Sequence, residues 1–180
     1  MKIILIGIQG SGKSTQGNLL AEKLNVPYLS TGHIFREIAK EKIPAGRYIK
    51  ETMNAGYLIP DEKTLEVVSE YLSRPEYEKG YILDGFPRTC IQAKAFKNGI
   101  NKVVYLRVSD NEALRRIAGR KTAREDETPN AIQKRIDLFH RFTEPVLDYY
   151  RGKGTLIEVD GEQTIEKILE EILTKLGQVE

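Results

Sequence analysis

The sequence has little of what secreted and membrane-bound proteins depend on. Its 180 residues include a single cysteine, Cys90, and no tryptophan. One cysteine cannot form an internal disulfide or complete a cysteine-rich zinc ribbon, so we expect a cytoplasmic setting and no zinc. The opening apolar run at residues 3–6 is far shorter than the roughly 18 residues of a membrane span. It is also too short for a signal-peptide core, so we expect neither a membrane anchor nor a leader.

An excess of charge of one sign is also missing. The chain has 28 Lys and Arg residues against 26 Asp and Glu residues, a formal net charge of +2, and no long run of either sign. This composition does not favour a nucleic-acid-binding protein or a disordered acidic tail. With 40% hydrophobic residues, the chain is long enough for one compact domain with a substantial core. Any cationic site must therefore be local.

Strand and helix patterns alternate along the chain. Residues 1–7 are mostly aliphatic, which is typical of a strand buried on both faces of a parallel sheet. Four further strands are predicted at residues 26–29, 81–84, 102–108 and 155–159. The alternation predicts an α/β fold with three layers, α/β/α, around a central five-stranded parallel sheet. In such folds the ligand binds at the carboxyl ends of the strands.

The segments between the strands have helical signals. Helices are predicted from Lys13 onward and at residues 31–42, 46–55, 60–73, 89–97, 110–120, 128–150 and 164–176. Thr31 is the predicted cap of the second helix, and Ser109 or Asp110 caps the helix through Arg120. Residues 128–150 are predicted to form one long helix that begins at Thr128 and Pro129.

The first strand leads into a loop of the phosphate-binding type. Residues 7–14 read Gly-Ile-Gln-Gly-Ser-Gly-Lys-Ser and match the pattern G-x-x-x-x-G-K-[ST]. Glycines let successive backbone N–H groups point at phosphate oxygens, and the following helix adds its positive N-terminal end. Lys13 supplies a mobile positive charge. The predicted strand and helix on either side favour this function over a glycine-rich turn of no function.

A magnesium site is predicted beside this loop. The hydroxyl group of Ser14 or Thr15 can bind Mg²⁺ or one of its waters. Asp84 ends a predicted strand and is placed to hold the water shell of the metal. The loop therefore indicates Mg²⁺ as cofactor and ATP as co-substrate.

Three further segments narrow the choice of phosphoryl acceptor. Residues 30–36 read Ser-Thr-Gly-His-Ile-Phe-Arg, and residues 84–89 read Asp-Gly-Phe-Pro-Arg-Thr with Gln92 shortly after. The third segment contains Arg116, Arg120, Arg124 and Arg135. Together with the loop, these motifs resemble the adenylate kinases over essentially the whole chain. The second motif is specific to nucleoside monophosphate kinases in a way that the loop alone is not.

The resemblance implies a reversible reaction of Mg·ATP with AMP that gives two ADP, in adenine nucleotide homeostasis. It implies that AMP is bound by Thr31, Arg36, Tyr57, Leu58, Ile59, Gly85, Phe86, Pro87, Arg88, Gln92, Arg124 and Arg135. It implies that ATP is bound by Gly10, Ser11, Gly12, Lys13, Ser14, Thr15, Arg116, Arg120 and Gln163. The implied catalytic residues are Lys13, Arg88, Arg124 and Arg135.

The chemistry of these side chains agrees with the resemblance. A monophosphate dianion requires fixed cationic donors, and arginine offers planar, bidentate hydrogen bonds. Gln92 has a donor and an acceptor that can pair with the edge of adenine. For the arginine cluster, the alternative is a solvated helix whose arginines pair with the neighbouring acids. Those acids are Glu112, Glu125, Asp126 and Glu127.

Two other functions stay open. A UMP/CMP-type kinase typically has asparagine where this chain has Thr89 and Gln92, so adenine is favoured. A nucleotide-dependent assembly factor without catalysis is the second alternative. It is disfavoured because a binding protein does not need a complete set of transfer residues.

The resemblance also divides the chain into a core and two mobile segments. The core would be residues 1–30, 60–120 and 135–180, the AMP-binding segment residues 31–59, and the lid residues 121–134. Only three residues separate Arg120 from Arg124, so this is a short-lid form without the long lid of many bacterial members.

Two residues depart from the family pattern. His33 stands where the family usually has aspartate, and Ser14 where it usually has glycine. The change at His33 can alter water or charge near the acceptor site, whereas Ser14 should preserve the loop. We expect the nucleotides ATP, AMP and ADP as partners, with no nucleic acid and no membrane, and a monomeric chain.

Overall fold

The computed structural model describes residues 1–120 and 124–178, and within them the chain forms five β-strands and nine α-helices. The strands are β1 (Lys2–Ile6), β2 (Tyr28–Ser30), β3 (Tyr81–Asp84), β4 (Lys102–Arg107) and β5 (Leu156–Asp160). The helices are α1 (Lys13–Leu24), α2 (Thr31–Ile38), α3 (Pro44–Asn54), α4 (Asp61–Leu72), α5 (Cys90–Ala95), α6 (Asp110–Ala118), α7 (Pro129–Leu138), α8 (Glu144–Gly152) and α9 (Ile165–Lys175). Residues 121–123 of the predicted lid and residues 179–180 of the predicted core lie outside the described residues.

The strands form one parallel sheet in the order β2-β3-β1-β4-β5. The central strand β1 has Leu5 opposite Asp84 of β3 on one side and opposite Val104 of β4 on the other. Because all strands run in the same direction, their carboxyl ends lie at one edge of the sheet. The phosphate loop follows β1 at that edge, and Asp84 ends β3 there. The predicted five-stranded parallel sheet is confirmed.

Both faces of the sheet are covered. Successive strand residues point to opposite faces, so Ile3 packs in one cluster with Leu20 of α1 and Ile172 of α9. Its neighbour Ile4 packs in a second cluster with Val146 of α8. The nearly continuous apolar sequence of β1 follows from this burial on both sides. The predicted three-layer α/β/α architecture is therefore confirmed.

The helices after β2 differ from the prediction at their ends. Ser30, rather than Thr31, caps α2, because the Ser30 hydroxyl accepts from the backbone N–H of His33 at 3.4 Å. The helix ends at Ile38 instead of residue 42. Pro44 begins α3 and requires the residue before it, Ile43, to be extended. The chain must therefore leave the helical conformation before residue 43.

The predicted helix over residues 128–150 is interrupted. It consists of α7, a π-helical turn at Phe139–Thr143, and α8. Pro145 lies at the start of α8 and has no N–H to donate to the carbonyl of Arg141, so the ordinary α-helical ladder cannot continue through it. The wider turn accommodates the proline. None of the helices in the described part of the chain is long and apolar enough to cross a membrane.

Candidate active site

A cavity of about 550 Å³ opens at the carboxyl edge of the sheet. It is lined by most of the site residues expected from the sequence, namely Gly10, Gly12, Lys13, Ser14, Thr15, Thr31, Arg36, Tyr57, Leu58, Ile59, Asp84, Gly85, Phe86, Pro87, Arg88, Gln92, Arg116, Arg120, Arg124 and Arg135. Ser11 is fully buried beneath this surface. Gln163 lies elsewhere, where its amide donates to Glu171 at 2.6 Å and to the carbonyl of Asp160 at 3.2 Å.

The phosphate loop has the backbone shape that its glycines permit. Gly10 and Gly12 have φ angles of +89° and +91°. A Cβ atom at Gly10 would lie 2.6 Å from the carbonyl oxygen of Ala113 in α6, so only glycine fits there. In the described part of the chain, no side chain caps the start of α1. Its first N–H groups are therefore suited to bind an anion.

Lys13 is folded back over the loop. Its Nζ donates to the carbonyl oxygens of Gly7 at 2.7 Å and Ile8 at 2.9 Å. Burial lowers the pKa of Lys13 to about 8, although the nearby Asp84 acts in the opposite direction. The amine therefore remains charged at neutral pH, and a phosphate can compete with the two neutral carbonyls for it.

Asp84 is almost completely buried at the end of β3. Its Oδ2 accepts a hydrogen bond from the hydroxyl of Tyr28 at 2.7 Å. Its Oδ1 is buried and has no hydrogen-bond partner within residues 1–120 and 124–178. A buried carboxylate oxygen without a partner is costly, and a cation or its bound water would satisfy it. With the hydroxyls of Ser14 and Thr15 in the same cavity, the residues present fit Mg²⁺.

The donor set suits this metal in particular. Mg²⁺ usually keeps several waters and takes only one or two protein carboxylates, together with substrate phosphates. A cluster of three or more His, Cys, Asp or Glu side chains that could hold a metal ion is not found among the residues that the structure describes.

The loop after β3 approaches the end of β2 closely. Gly85 has a φ angle of +83°, and a Cβ atom there would lie 2.5 Å from Oγ1 of Thr31. Thr31 donates through this oxygen to the carbonyl of Asp84 at 3.2 Å. The glycine therefore permits the contact that brings the start of α2 against the end of β3.

Arg88 is held by contacts on two sides. Its Nε donates to the carbonyl of Gly85 at 2.8 Å, and its own carbonyl accepts from Oγ1 of Thr143 at 2.9 Å. Thr143 belongs to the π-helical turn, which was not predicted from the sequence. Burial and the nearby Arg135 lower the pKa of Arg88. A guanidinium among other cations and largely buried is suited to an anionic ligand.

The amide of Gln92 is buried and bonded at both ends. Its Oε1 accepts from the backbone N–H of Arg88 at 2.7 Å, and its Nε2 donates to Oδ1 of Asp61 at 2.9 Å. The sequence does not signal this contact, because Asp61 has the local pattern of any acidic residue in the first turn of a helix.

Carboxylates accompany the arginines of the cavity. Arg135 donates to Asp126 at 2.5 Å, and Arg120 and Arg124 both pair with Glu127. The ion pairs with neighbouring acids, which the sequence offered as the alternative, do form. The arginines nevertheless line the cavity and do not lie on a solvated helix face.

Arg116 has a connecting position. Its Nε donates to Glu112 at 2.6 Å, while Nη2 donates to the carbonyl of Gly161 at 2.8 Å and Nη1 to that of Ser11 at 3.4 Å. The side chain therefore connects α6 to the phosphate loop and to the turn after β5.

A phosphate loop and a cavity lined by cationic side chains, both at the carboxyl edge of a parallel sheet, are typical of P-loop nucleoside monophosphate kinases. The sequence model of the family described as adenylate kinase matches residues 5–155. Among curated proteins, the adenylate kinase of Syntrophotalea carbinolica is 36% identical over 98% of this chain and 99% of its own length. That of Methanocella arvoryzae is 35% identical over 96% of both chains, and that of Caldicellulosiruptor bescii is 33% identical over 98% of this chain and 99% of its own.

The chain therefore belongs to the adenylate kinase family. It is a nucleotide-binding kinase of the transferase class, with ATP as a substrate. The family membership predicted from the sequence motifs is confirmed.

Proposed function

We propose that this chain transfers the γ-phosphoryl group of Mg·ATP reversibly to AMP, giving two ADP, with Lys13, Arg88, Arg124 and Arg135 as catalytic residues. The observation that supports this most is that the four cationic side chains line one cavity beside Asp84. Phosphoryl transfer depends mainly on positioning and on stabilisation of charge on the equatorial phosphate oxygens. A set of fixed cations supplies both.

The two substrates occupy different parts of this cavity in the proposal. The ATP phosphates bind to the loop and to Arg116 and Arg120, whereas AMP binds between α2, the loop after β3 and Gln92. An oxygen of the AMP phosphate forms a new bond to the γ-phosphorus as the bond between that phosphorus and the β–γ bridging oxygen of ATP breaks, and ADP leaves with that oxygen. Because the attacking oxygen is already anionic, no side chain has to remove a proton.

Magnesium has a defined place in the proposal. Asp84, Ser14 and Thr15 would hold Mg²⁺, partly through water, and the metal would neutralise charge on the β- and γ-phosphates. The buried Oδ1 of Asp84 without a protein partner in the described chain supports this assignment.

The proposed mobile segments are residues 31–59 over AMP and residues 121–134 over ATP. The first of these segments contacts α7, where Nη2 of Arg135 donates to the carbonyl of Met53 at 2.9 Å. Nearby, Nζ of Lys134 lies 4.8 Å from the ring centre of Tyr57. Closure would exclude water and so favour transfer to AMP over hydrolysis of ATP.

A short lid is part of this proposal. The alignment with the Syntrophotalea enzyme spans 213 positions, more than the 180 residues of this chain, so that relative contains residues that are missing here. We also propose a cytoplasmic monomer without zinc. The single Cys90 supports the cytoplasmic setting and the absence of zinc. The monomer is supported by the fact that all four proposed catalytic cations come from one chain.

A product assay tests the proposed reaction. The purified protein would receive Mg·ATP with AMP, UMP, CMP, GMP or no acceptor, and the nucleotides would be separated by chromatography. We expect rapid ADP formation with AMP, lost in Lys13→Ala and Arg88→Ala and retained in the exposed control Lys167→Ala. Faster turnover with UMP or CMP would instead indicate a UMP/CMP-type kinase. ATP binding without transfer to any acceptor would indicate an assembly factor.

A further inference from the structure

Asp61, the first residue of α4, lies behind the proposed acceptor site. It does not line the cavity. Its Oδ1 accepts two hydrogen bonds from the loop and helix after β3, from Nε2 of Gln92 at 2.9 Å and from Oγ1 of Thr89 at 2.8 Å. One carboxylate oxygen therefore holds Gln92, whose amide is expected to read the purine.

The contacts on the two ends of the Gln92 amide permit one orientation. An ionised carboxylate only accepts hydrogen bonds, and a backbone N–H only donates. If the amide were flipped, its NH₂ group would face the N–H of Arg88 and its oxygen would face the carboxylate of Asp61. Both contacts would be repulsive, and because Gln92 is only 1% exposed, water could not replace them easily.

The orientation decides what Gln92 can offer a base. A glutamine amide has two donor hydrogens and two acceptor lone pairs. After the bonds to Asp61 and Arg88, one donor and one acceptor remain, in a fixed order. The edge of adenine presents an amino donor beside a ring-nitrogen acceptor, whereas a 6-oxopurine presents an acceptor beside an N–H donor. A fixed amide matches one of these edges, and an amide free to flip matches both.

We propose that Asp61 is a positioning residue that makes the acceptor site prefer adenine over 6-oxopurines, because it fixes the orientation of the Gln92 amide. This inference rests on the proposed function, since Gln92 can discriminate between bases only if AMP binds in this cavity. Asp61 acts through Gln92 and does not touch the base.

A purely structural role for Asp61 must be separated from this one. An acidic residue in the first turn of a helix also stabilises the helix through its dipole. The neighbouring Glu62 lies in the same turn of α4 and is exposed, so it has the same electrostatic relation to the helix. Replacing Glu62 removes that charge and leaves Gln92 untouched, which makes it the matched control.

The test compares kcat/KM for AMP and for inosine monophosphate in the full chain, with Mg·ATP saturating. We expect the ratio of the two values to fall about tenfold in Asp61→Ala, through a higher KM for AMP and a lower KM for inosine monophosphate. In Asp61→Asn, whose side-chain oxygen still accepts, the ratio should stay within about threefold of the wild type. In Glu62→Ala it should not change.

Other outcomes have clear meanings. If Asp61→Ala lowers kcat/KM for both nucleotides by the same factor, the selectivity proposal is overturned and the role is structural. If Asp61→Ala does not fold, Asp61→Ser provides the same comparison, because serine suits a helix start and its hydroxyl both donates and accepts. A wild-type protein that does not use AMP would overturn the proposed function itself, whereas an unchanged ratio in an active Asp61→Ala or Asp61→Ser variant overturns only this inference.

Discussion

The hydroxyl of Tyr28 donates a 2.7 Å hydrogen bond to Oδ2 of Asp84 and so connects β2 to the end of β3. Burial raises the pKa of the Tyr28 phenol, and the negative charge of Asp84 raises it further. The phenol therefore stays protonated and continues to donate over the whole neutral range. With Oδ2 occupied in this way, Oδ1 is the oxygen of Asp84 that remains for the proposed metal site.

Tyr28→Phe is expected to destabilise the protein by roughly 1–3 kcal/mol, because a buried carboxylate loses a hydrogen-bond donor. The ring itself is retained, and it packs closely against Gly17 of α1. Urea unfolding followed by circular dichroism measures the change in free energy of unfolding. Tyr48→Phe, which alters an exposed tyrosine, should leave it unchanged. Equal stability of Tyr28→Phe and wild type would show that the bond contributes nothing.

Lys13 should give the ligand-free protein a characteristic pH dependence. Its pKa is lowered by burial from 10.5 to about 8. Between these two pH values the unfolded chain holds a proton that the native protein has released, so stability rises with pH. Below about pH 8 both states are protonated, and this contribution to the slope vanishes.

The contribution of Lys13 can be isolated with Lys13→Met. The free energy of unfolding of the wild type, minus that of the variant, should increase from pH 8 to pH 10. Urea unfolding at both pH values provides this difference, because contributions from other titrating groups cancel. A difference that does not vary with pH would mean that the amine keeps its ordinary pKa in the native protein.

Glu127 pairs with Arg120 and Arg124, and we expect it to compete with nucleotide phosphates for these two arginines. Its side chain is 4% exposed and accepts from Nε2 of Gln9 at 2.8 Å. In Glu127→Gln the size is preserved but the internal anion is lost. We therefore expect the Kd for ATP to fall about tenfold, which corresponds to about 1.4 kcal/mol.

Isothermal titration calorimetry measures this affinity directly. Glu125→Gln is the matched control, since Glu125 is 90% exposed and lies 4.0 Å from Lys50 at the nearest charged atoms. Weaker ATP binding in Glu127→Gln would contradict the competition. It would mean that Glu127 instead holds the two arginines in the position that the phosphates require.

Local sequence patterns were sufficient for much of the fold and for the phosphate loop. The bounds of β3 agree with the prediction because a short apolar run is enclosed by two glycines, Gly80 and Gly85. The loop could be predicted because its function depends on the backbone, and residues 7–14 specify that backbone by themselves. Both signals lie within a few consecutive residues.

The supporting contacts of the site could not be predicted in this way. Tyr28 and Asp84 are 56 residues apart, and Asp61 and Gln92 are 31 apart. Tyr28 has the local pattern of any strand residue, and Asp61 that of any acid at a helix start. Their roles arise only when the sheet brings the ends of β2 and β3 together and α4 packs beside α5.

Arg88 provides the last prediction, because its geometry distinguishes arginine from a simple positive charge. Nε is used by the carbonyl of Gly85 at 2.8 Å, and we expect the two terminal nitrogen atoms to bind the acceptor phosphate together. Lysine retains the charge but cannot make both interactions. Arg88→Lys should therefore lower kcat/KM for AMP by about 10²- to 10³-fold, while the Kd for ATP stays within about twofold. Steady-state kinetics measures kcat/KM for AMP and calorimetry measures the Kd for ATP, with the exposed Arg74→Lys as control. A selective loss of ATP binding in Arg88→Lys would instead place Arg88 on the donor side.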